Sequence, residues 1–491
     1  MTALAVPSIH YLAIAPVIIL FAGSLGLLAA SALTRGALNR TLTTAVTVAA
    51  ALAAAAAAFW QWSYVADHGA STTIAHAIVL DGFSVVASAT VALALALAAL
   101  VAHDWAAREG VVGAEYHVLS LAVAAGAVIM CQANDLVVIF LGLEILSIGL
   151  YVLVAFDRQR ATSSEAALKY FLLGGFASAV FIYGAALVYG ATGSTNLTSL
   201  SYFLGTNTLL RPGLLYAGGG LLVVGFAFKV AAVPFHLWSP DVYEGAPTPV
   251  TGFMASVVKV GAFAAFLRVL VSALGTQMAT WRPILFVLVA LTTLVGAGLA
   301  LVQRNVKRLL AYSSINHAGF ILLGLYAADA RGAGATLFYL MTYAPTVVAT
   351  FAIVTLVGGP GDEAHAIENY RGLARRQPWL GGALALLLLS QLGAPLTTGF
   401  YAKFTVLAAA VDAGGGALAL VALLGAAIAA YFARRWTLAL YADVEPEATR
   451  VAVPRATGAV IALGVALTVL FGVWPGPLAA LAQHATVLFT P

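Results

Sequence analysis

The chain of 491 residues is 62% apolar and only 9% charged, against roughly 25% charged in soluble domains. No soluble fold could bury that much apolar surface, and apolar stretches fill the sequence from residue 11 to about 482, leaving no room for a soluble domain. The net charge of +4 gives no sign of a nucleic-acid partner and in such a chain mostly reflects topology.

Stretches of about 20 apolar residues separated by polar breaks predict an all-α polytopic membrane protein of about fourteen spans. They lie near 11–33, 42–62, 81–102, 115–132, 134–156, 165–190, 214–236, 249–274, 283–303, 307–327, 333–357, 379–409, 416–441 and 456–482. The first has no basic region before it and is long enough to cross, so it reads as a span and not as a cleaved signal. The break between the fourth and fifth, Gln132 to Asp135, is very short.

The basic residues test the count. Loops after odd-numbered spans hold fifteen: Arg35, Arg40, Arg108, Arg158, Arg160, Arg304, Lys307, Arg308, Arg371, Arg375, Arg376, Arg434, Arg435, Arg450 and Arg455. Loops after even-numbered spans hold three: Arg211, Arg282 and Arg331. The positive-inside rule then places the odd loops in the cytoplasm and both termini outside, in a bacterial inner membrane on the periplasmic side. A miscount by one span would scramble this division. Arg371, Arg375 and Arg376 read as topology and lipid-headgroup anchors.

Five basic residues remain, all inside spans: Lys169, Lys229, Lys259, Arg268 and Lys403. Glu144, Lys229, Lys259 and His317 fall roughly 15–22 Å from one end of their spans, near the midplane. Lys403 is deeper in a long twelfth span, but Gly393, Ala394 and Pro395 interrupt that span and bring it toward the same depth. A lone charge at membrane depth costs several kcal/mol, so such residues are functional by default. They form a layer in the membrane plane, not a column across it.

Lys229 precedes Pro234 in span 7, and Pro395 precedes Lys403 in span 12, which runs the opposite way. A lysine beside a proline break in two antiparallel spans is what an inverted repeat produces. The expected organisation is a single membrane domain: spans 1–3 (11–102), a first five-span unit (115–274), a second (283–441) and a last span (456–482). The lone Cys131 excludes a disulfide framework and a cysteine-ligated cluster, and neither GxGxxG nor GxxxxGK[ST] is present. No candidate redox centre, metal set or cofactor site is legible in the chain.

The run GFAFKVAAVPFHLWSPDVYEGAPTPVTGF (225–253), with ASVVKVGAFAAFLR (255–268), closely resembles the subunit N family of the proton-pumping NADH:quinone oxidoreductase, respiratory complex I. The stretches 133–153, 165–197, 305–324 and GFYAKF (399–404) are similar to that family's other signatures. PDVYEGAP (240–247) favours subunit N over the related subunits L and M and the Mrp-type cation/proton antiporters. The resemblance implies an antiporter-like fold with inverted repeats of spans 4–8 and 9–13 and broken spans 7 and 12. It implies a Glu144–Lys229 charge pair, Lys259 at the centre, His317 as a relay and Lys403 as the terminal lysine, with Lys169 matching a lysine of the family's sixth span. Expected partners are other membrane and peripheral subunits of complex I, especially its antiporter-like subunits, together with lipids. FMN, iron–sulfur clusters, NADH and quinone would belong to the parent complex. One departure is Leu396, where the family usually has a second proline.

Each residue has a bland reading beside the functional one. Lys169 could snorkel or pair with Glu165 one turn earlier, and His317 could be a hydrogen-bonded packing residue, although Ser313, Ser314 and Asn316 suggest hydrated surroundings. His236 and Trp238 read as structural, and Asp135 as interfacial. Burial makes an amine easier to deprotonate and a nearby carboxylate reverses this, so lysines among carboxylates suit proton transfer. The alternatives are an Mrp-type antiporter component and a scaffold whose charges only fix packing.

Overall fold

The computed structural model describes residues 9–35, 38–209, 212–443 and 450–487. Arg211, one of the loop arginines used to set topology, lies outside them. Among the described residues, thirteen helices are long and apolar enough to cross a membrane. A fourteenth span is split into Pro378–Leu392 and Thr398–Asp412. In chain order spans 1–11 are Tyr11–Leu33, Arg40–His68, Gly82–Arg108, Glu115–Gln132, Leu136–Val154, Ala161–Thr192, Pro212–Lys229, Thr248–Ala273, Gly275–Leu301, Val306–Ala327 and Ala330–Gly358. Span 12 is the split pair, and spans 13 and 14 are Gly416–Tyr441 and Arg455–Val473.

Two expected boundaries fail for local reasons. Span 7 stops at Lys229 rather than near 236, because the chain unwinds before Pro234 and resumes as the short helix Trp238–Gly245. Span 14 stops at Val473 rather than near 482: Pro475 interrupts it, and Gly476–Val487 forms a separate helix packed on span 11. Many starts are set by short polar caps that satisfy orphan N–H groups. Asn39, Asp81, Asp135, Asn305 and Asp329 cap spans 2, 3, 5, 10 and 11.

Loop contacts bear on the parity of the span count. Loops after spans 5, 7, 9 and 11 meet at one end, where Arg160 pairs with Asp362 at 3.2 Å and Arg308 with Asp241 at 2.7 Å. We call this the basic end. At the opposite end the antiparallel hairpin Ser71–Thr73 and Ile78–Leu80 follows span 2, and Ile78 bridges Ala133 after span 4. Arg282, near the start of span 9, donates there to the carbonyls of Tyr326 (3.1 Å) and Ala413 (2.6 Å). Odd loops share one end and even loops the other, as fourteen crossings require.

A second correspondence links the starts of spans 5 and 10. At the start of span 5, Leu136 N–H donates to Thr195 and Leu197 N–H to Asn134, both at 2.9 Å. At the start of span 10, at the opposite end, Val306 N–H donates to His365 (2.7 Å) and Ile367 N–H to Arg304 (3.0 Å). Both helix breaks also hold a non-glycine residue in the left-handed region, Ala231 (φ 58°) and Leu396 (φ 65°). Such a residue costs about 1–2 kcal/mol and persists only where its surroundings impose it.

Small residues set the closest helix approaches. A methyl group on Gly126 would meet the Gly142 carbonyl at 2.8 Å, and one on Gly142 the Gly126 carbonyl at 2.9 Å, so spans 4 and 5 touch backbone to backbone. Spans 8, 10 and 11 form the interior, whereas spans 1 and 14 present most of their surface outward. The strongest interior tie is ionic. Arg268 of span 8 reaches Asp81, the cap of span 3, with Nη1 at 2.8 Å and Nη2 at 3.1 Å, both side chains almost fully enclosed.

Removing one member of such a pair leaves an uncompensated charge and costs about 3–5 kcal/mol, whereas replacing both with apolar residues costs far less. Arg268→Ala is therefore expected to lower the thermal midpoint of the detergent-solubilised protein sharply, and Asp81→Leu/Arg268→Met to recover much of the loss. An Arg268→Ala protein that melts like the wild type rules out this tie.

Candidate functional site

Lys229 ends the first half of span 7, so its side chain projects where the helix unwinds. Its ammonium donates to Ser147 Oγ at 2.8 Å and to the Tyr170 hydroxyl at 3.1 Å, and lies 5.3 Å from the centre of the Tyr170 ring. Glu144 sits one turn before Ser147 on span 5 and accepts a hydrogen bond from Ser178 of span 6. The direct Glu144–Lys229 ion pair that the resemblance implies is not formed. Span 5 turns Ser147, not Glu144, onto the ammonium, and the carboxylate is held separately.

Lys259 follows a stretch of wider π-helical turns, Met254–Val258, within span 8. Such segments recur at functional sites. Its ammonium donates to the backbone carbonyl of Ser314 on span 10 and lies 5.5 Å from the centre of the Tyr343 ring. Ser314 Oγ hydrogen-bonds with the hydroxyls of Tyr343 (2.9 Å) and Tyr243 (3.3 Å). Among the described residues, no direct hydrogen bond joins the Lys229 group to the Lys259 group. Trp238, stacked on Tyr170 at 4.7 Å, lies on the Lys229 side.

His317 lies one turn beyond Ser314. Its Nδ1 hydrogen-bonds with the Tyr339 hydroxyl at 2.6 Å, and its ring centre is 5.0 Å from that of Tyr343. Beyond it is a cavity of about 20 Å³ lined by His317, Tyr339, Ser390, Gln391 and Thr398. That is the volume of about one water, with polar partners around it. Across the cavity span 12 breaks at Gly393 to Thr397, and Lys403 donates to the carbonyl of Leu392 at 2.8 Å. Leu392 ends the first half-helix, so its carbonyl is one of the orphan acceptors at the negative pole of a helix. Lys403 also lies 4.7 Å from the centre of the Phe320 ring. Leu396 occupies the break in a left-handed conformation, and Lys403 keeps its place despite the missing second proline.

Lys169 stands apart from this row. It is 43% exposed and pairs with Glu165 (2.8 Å) and Asp241 (2.7 Å) at the basic end. It borders a polar cavity of about 670 Å³ that also includes Glu244, Arg308 and Asp362. Its neighbour Tyr170 turns inward to Lys229, so one turn of span 6 serves both the cavity and the midplane. The adjacent anchor is Asp362, which takes hydrogen bonds from Thr248 N–H (2.9 Å) and Oγ1 (2.6 Å) and ion pairs with Arg160 and Lys307. Burial alone would raise the Asp362 carboxyl, but Lys307, His365 and Thr248 hold it well below the usual carboxylate range. The sequence counted Lys307 with the loop after span 9; it is fully enclosed, donating to Ala246 O at 2.5 Å.

The model of the NADH:quinone oxidoreductase/Mrp antiporter transmembrane family matches residues 133–429, which holds Glu144, Lys229, Lys259, His317 and Lys403. An NADH-quinone oxidoreductase subunit N from Rhodococcus opacus is 44% identical over 399 residues, spanning 81% of this chain and 74% of that protein. The chain belongs to the subunit N family. A second member, from Roseiflexus castenholzii, is 40% identical over 417 residues and spans 83% of this chain and 84% of its own. A chain of respiratory complex I from Thermus thermophilus superposes with a TM-score of 0.81 at 36% identity, covering 95% of this chain and 99% of that one. A chain of the Mrp complex from Dietzia sp. superposes with a TM-score of 0.85 at 21% identity, a likeness of fold alone.

Sequence reasoning missed the hydroxyls that hold the charges: Ser147, Ser178, Tyr170, Tyr243, Tyr339 and Tyr343. One signal was present, since Tyr339 and Tyr343 are four apart and share a helix face. A depressed carboxyl stabilises the fold above its unfolded value, near 3.9, and loses that contribution as pH falls through its folded value. Asp362→Asn is expected to cost about 3–5 kcal/mol at pH 7. Thermal midpoints of the mutant and wild-type protein should differ at pH 6–8, and the gap should begin to close only below about pH 4, narrowing as the pH falls toward the depressed folded value. A gap unchanged at acid pH excludes an ionised Asp362 as its source.

Proposed function

We propose that this chain is the membrane-arm subunit N of an NADH:quinone oxidoreductase and moves protons through the row Glu144, Lys229, Lys259, His317 and Lys403. The carrying observation is how the three midplane amines are held. Each donates to a hydroxyl or a carbonyl, and none to a carboxylate. An ammonium solvated by neutral oxygens can lose its proton without stranding a partner anion. On this reading Glu144 biases Lys229 through space, and Lys229 hands the proton on toward Lys259. His317 and the water-sized cavity carry it toward Lys403. Lys169 with Asp241 feeds the row from the basic end through the Lys169–Tyr170 turn.

Moving one charge across the membrane costs about 2.3 kcal/mol per 100 mV. That energy would come from partner subunits that use NADH, FMN, iron–sulfur clusters and quinone. The two five-span units, 115–274 and 283–441, would supply the two halves of the path. Subunit N identities of 40–44% favour this reading over an Mrp antiporter component, whose likeness rests on fold at 21%.

Lys259→Arg discriminates between relay and scaffold, because arginine keeps the charge but does not release a proton. In the assembled complex it is expected to lower proton-coupled NADH oxidation by about tenfold or more, and Glu144→Gln to do likewise. A Lys259→Arg complex that assembles and pumps at full yield would favour the scaffold. The basic end is proposed to face the cytoplasm, with both termini outside. A cysteine replacing Arg304, with Cys131→Ser, should react with an impermeant maleimide in inverted vesicles and not in intact cells; the reverse pattern inverts the topology.

A further inference from the structure

A cleft of about 1030 Å³ lies between spans 1, 4, 5 and 6, away from the lysine row. Its walls are apolar, with Leu28, Leu119, Val152 and Phe171 along them. Its rim at the basic end carries two exposed arginines, Arg35 at the end of span 1 and Arg158 in the loop after span 5. Among the described residues neither guanidinium has an ion-pair partner, whereas Arg108, Arg160, Arg308 and Arg375 at the same end are paired. One carboxylate, Glu115, also reaches the rim, leaving a net positive mouth.

The depth of the cleft is decisive. Leu28 is about 10 Å below Arg35 along span 1, and Phe171 about 15 Å below the start of span 6, at 1.5 Å per residue. Half the hydrocarbon thickness is about 15 Å. The cleft therefore spans one leaflet. A transmembrane helix of a partner would need a groove through both leaflets, whereas a single lipid needs this one. Two unpaired arginines at the headgroup level of the leaflet then choose the headgroup, because basic pockets between spans on the cytoplasmic side bind anionic lipids.

We propose that this cleft is a binding site for one anionic phospholipid of the leaflet at the basic end, its phosphate held by Arg35 and Arg158. The acyl chains lie against Leu28, Val152 and Phe171. The floor of the site is Tyr151, whose ring packs edge-on against Tyr170 at 4.9 Å. Tyr170 is the residue that accepts from Lys229, so the bound lipid seals the membrane flank of the Lys229 pocket. The site depends on the membrane orientation but not on the relay, and its test reads binding rather than pumping.

The test uses the intact complex in vesicles containing trace phosphatidylglycerol or phosphatidylcholine with a photoreactive acyl chain. Phosphatidylglycerol should label the peptides around Val152 and Phe171 well above phosphatidylcholine. Arg35→Gln/Arg158→Gln should weaken phosphatidylglycerol labelling by about 25-fold, from roughly fivefold for each arginine near an anionic headgroup. Phosphatidylcholine labelling should not change. Equal labelling by both lipids in the wild-type complex overturns the proposal, and that comparison stands even if the double variant does not assemble. Absence of labelling, or a Val152→Cys cross-link to a neighbouring subunit, overturns it as well.

Discussion

A charged amine carried into hydrocarbon costs several kcal/mol unless oxygen atoms surround it, and the helix breaks and hydroxyl-bearing faces of this fold supply those oxygens. Lys403 reaches the last carbonyl of a half-helix, where no N–H competes for it. Lys229 stands at the end of a half-helix, free to turn onto Ser147 and Tyr170. Lys259 shares the Ser314 carbonyl of an enclosed span whose own ladder continues. The breaks cost stability through Ala231 and Leu396 in left-handed conformations. In exchange they bring unwound backbone and half-helix ends beside Lys229 and Lys403.

Among the described residues, the ion pairs lie elsewhere. Arg268 and Asp81 lock span 8 to the start of span 3, and the Asp362 cluster ties four loops at the basic end. Direct pairing fixes geometry at both ends of the bundle, while the midplane amines avoid it. The same residue types thus do two jobs, separated by depth. At the basic end both Arg and Lys are paired, as Arg160, Arg308, Lys169 and Lys307 show, whereas the three midplane amines are all Lys, the type whose charge can vary.

The spans were legible because hydropathy is a local property, and so were the breaks, since Pro234, Gly393 and Pro395 act on their own turns. The loop parity was legible because arginines accumulate at one end. Partners were not. Lys169 finds Asp241 seventy-two positions away, and Lys307 finds Asp362 fifty-five away. No periodicity encodes either contact. The family pattern implied Glu144 against Lys229, yet which of two groups one turn apart on span 5 faces the ammonium is decided by helix rotation, a tertiary quantity. The π-helical turns before Lys259 were equally invisible, because no proline or glycine marks Met254–Val258.

That rotation matters for what the charges can do. Two unit charges in contact at about 4 Å attract by roughly 4 kcal/mol at an effective dielectric of 20. A lysine so paired must break that contact before it yields a proton. With Ser147 as the direct partner, Glu144 reaches Lys229 through space and not by contact. A hydroxyl also donates as readily as it accepts, so Ser147 and Tyr170 can serve either form of the amine. A permanent carboxylate contact would favour one form alone. On the proposed reading, the separation of Glu144 from Lys229 is the arrangement in which a carboxylate would tune an amine without trapping its proton.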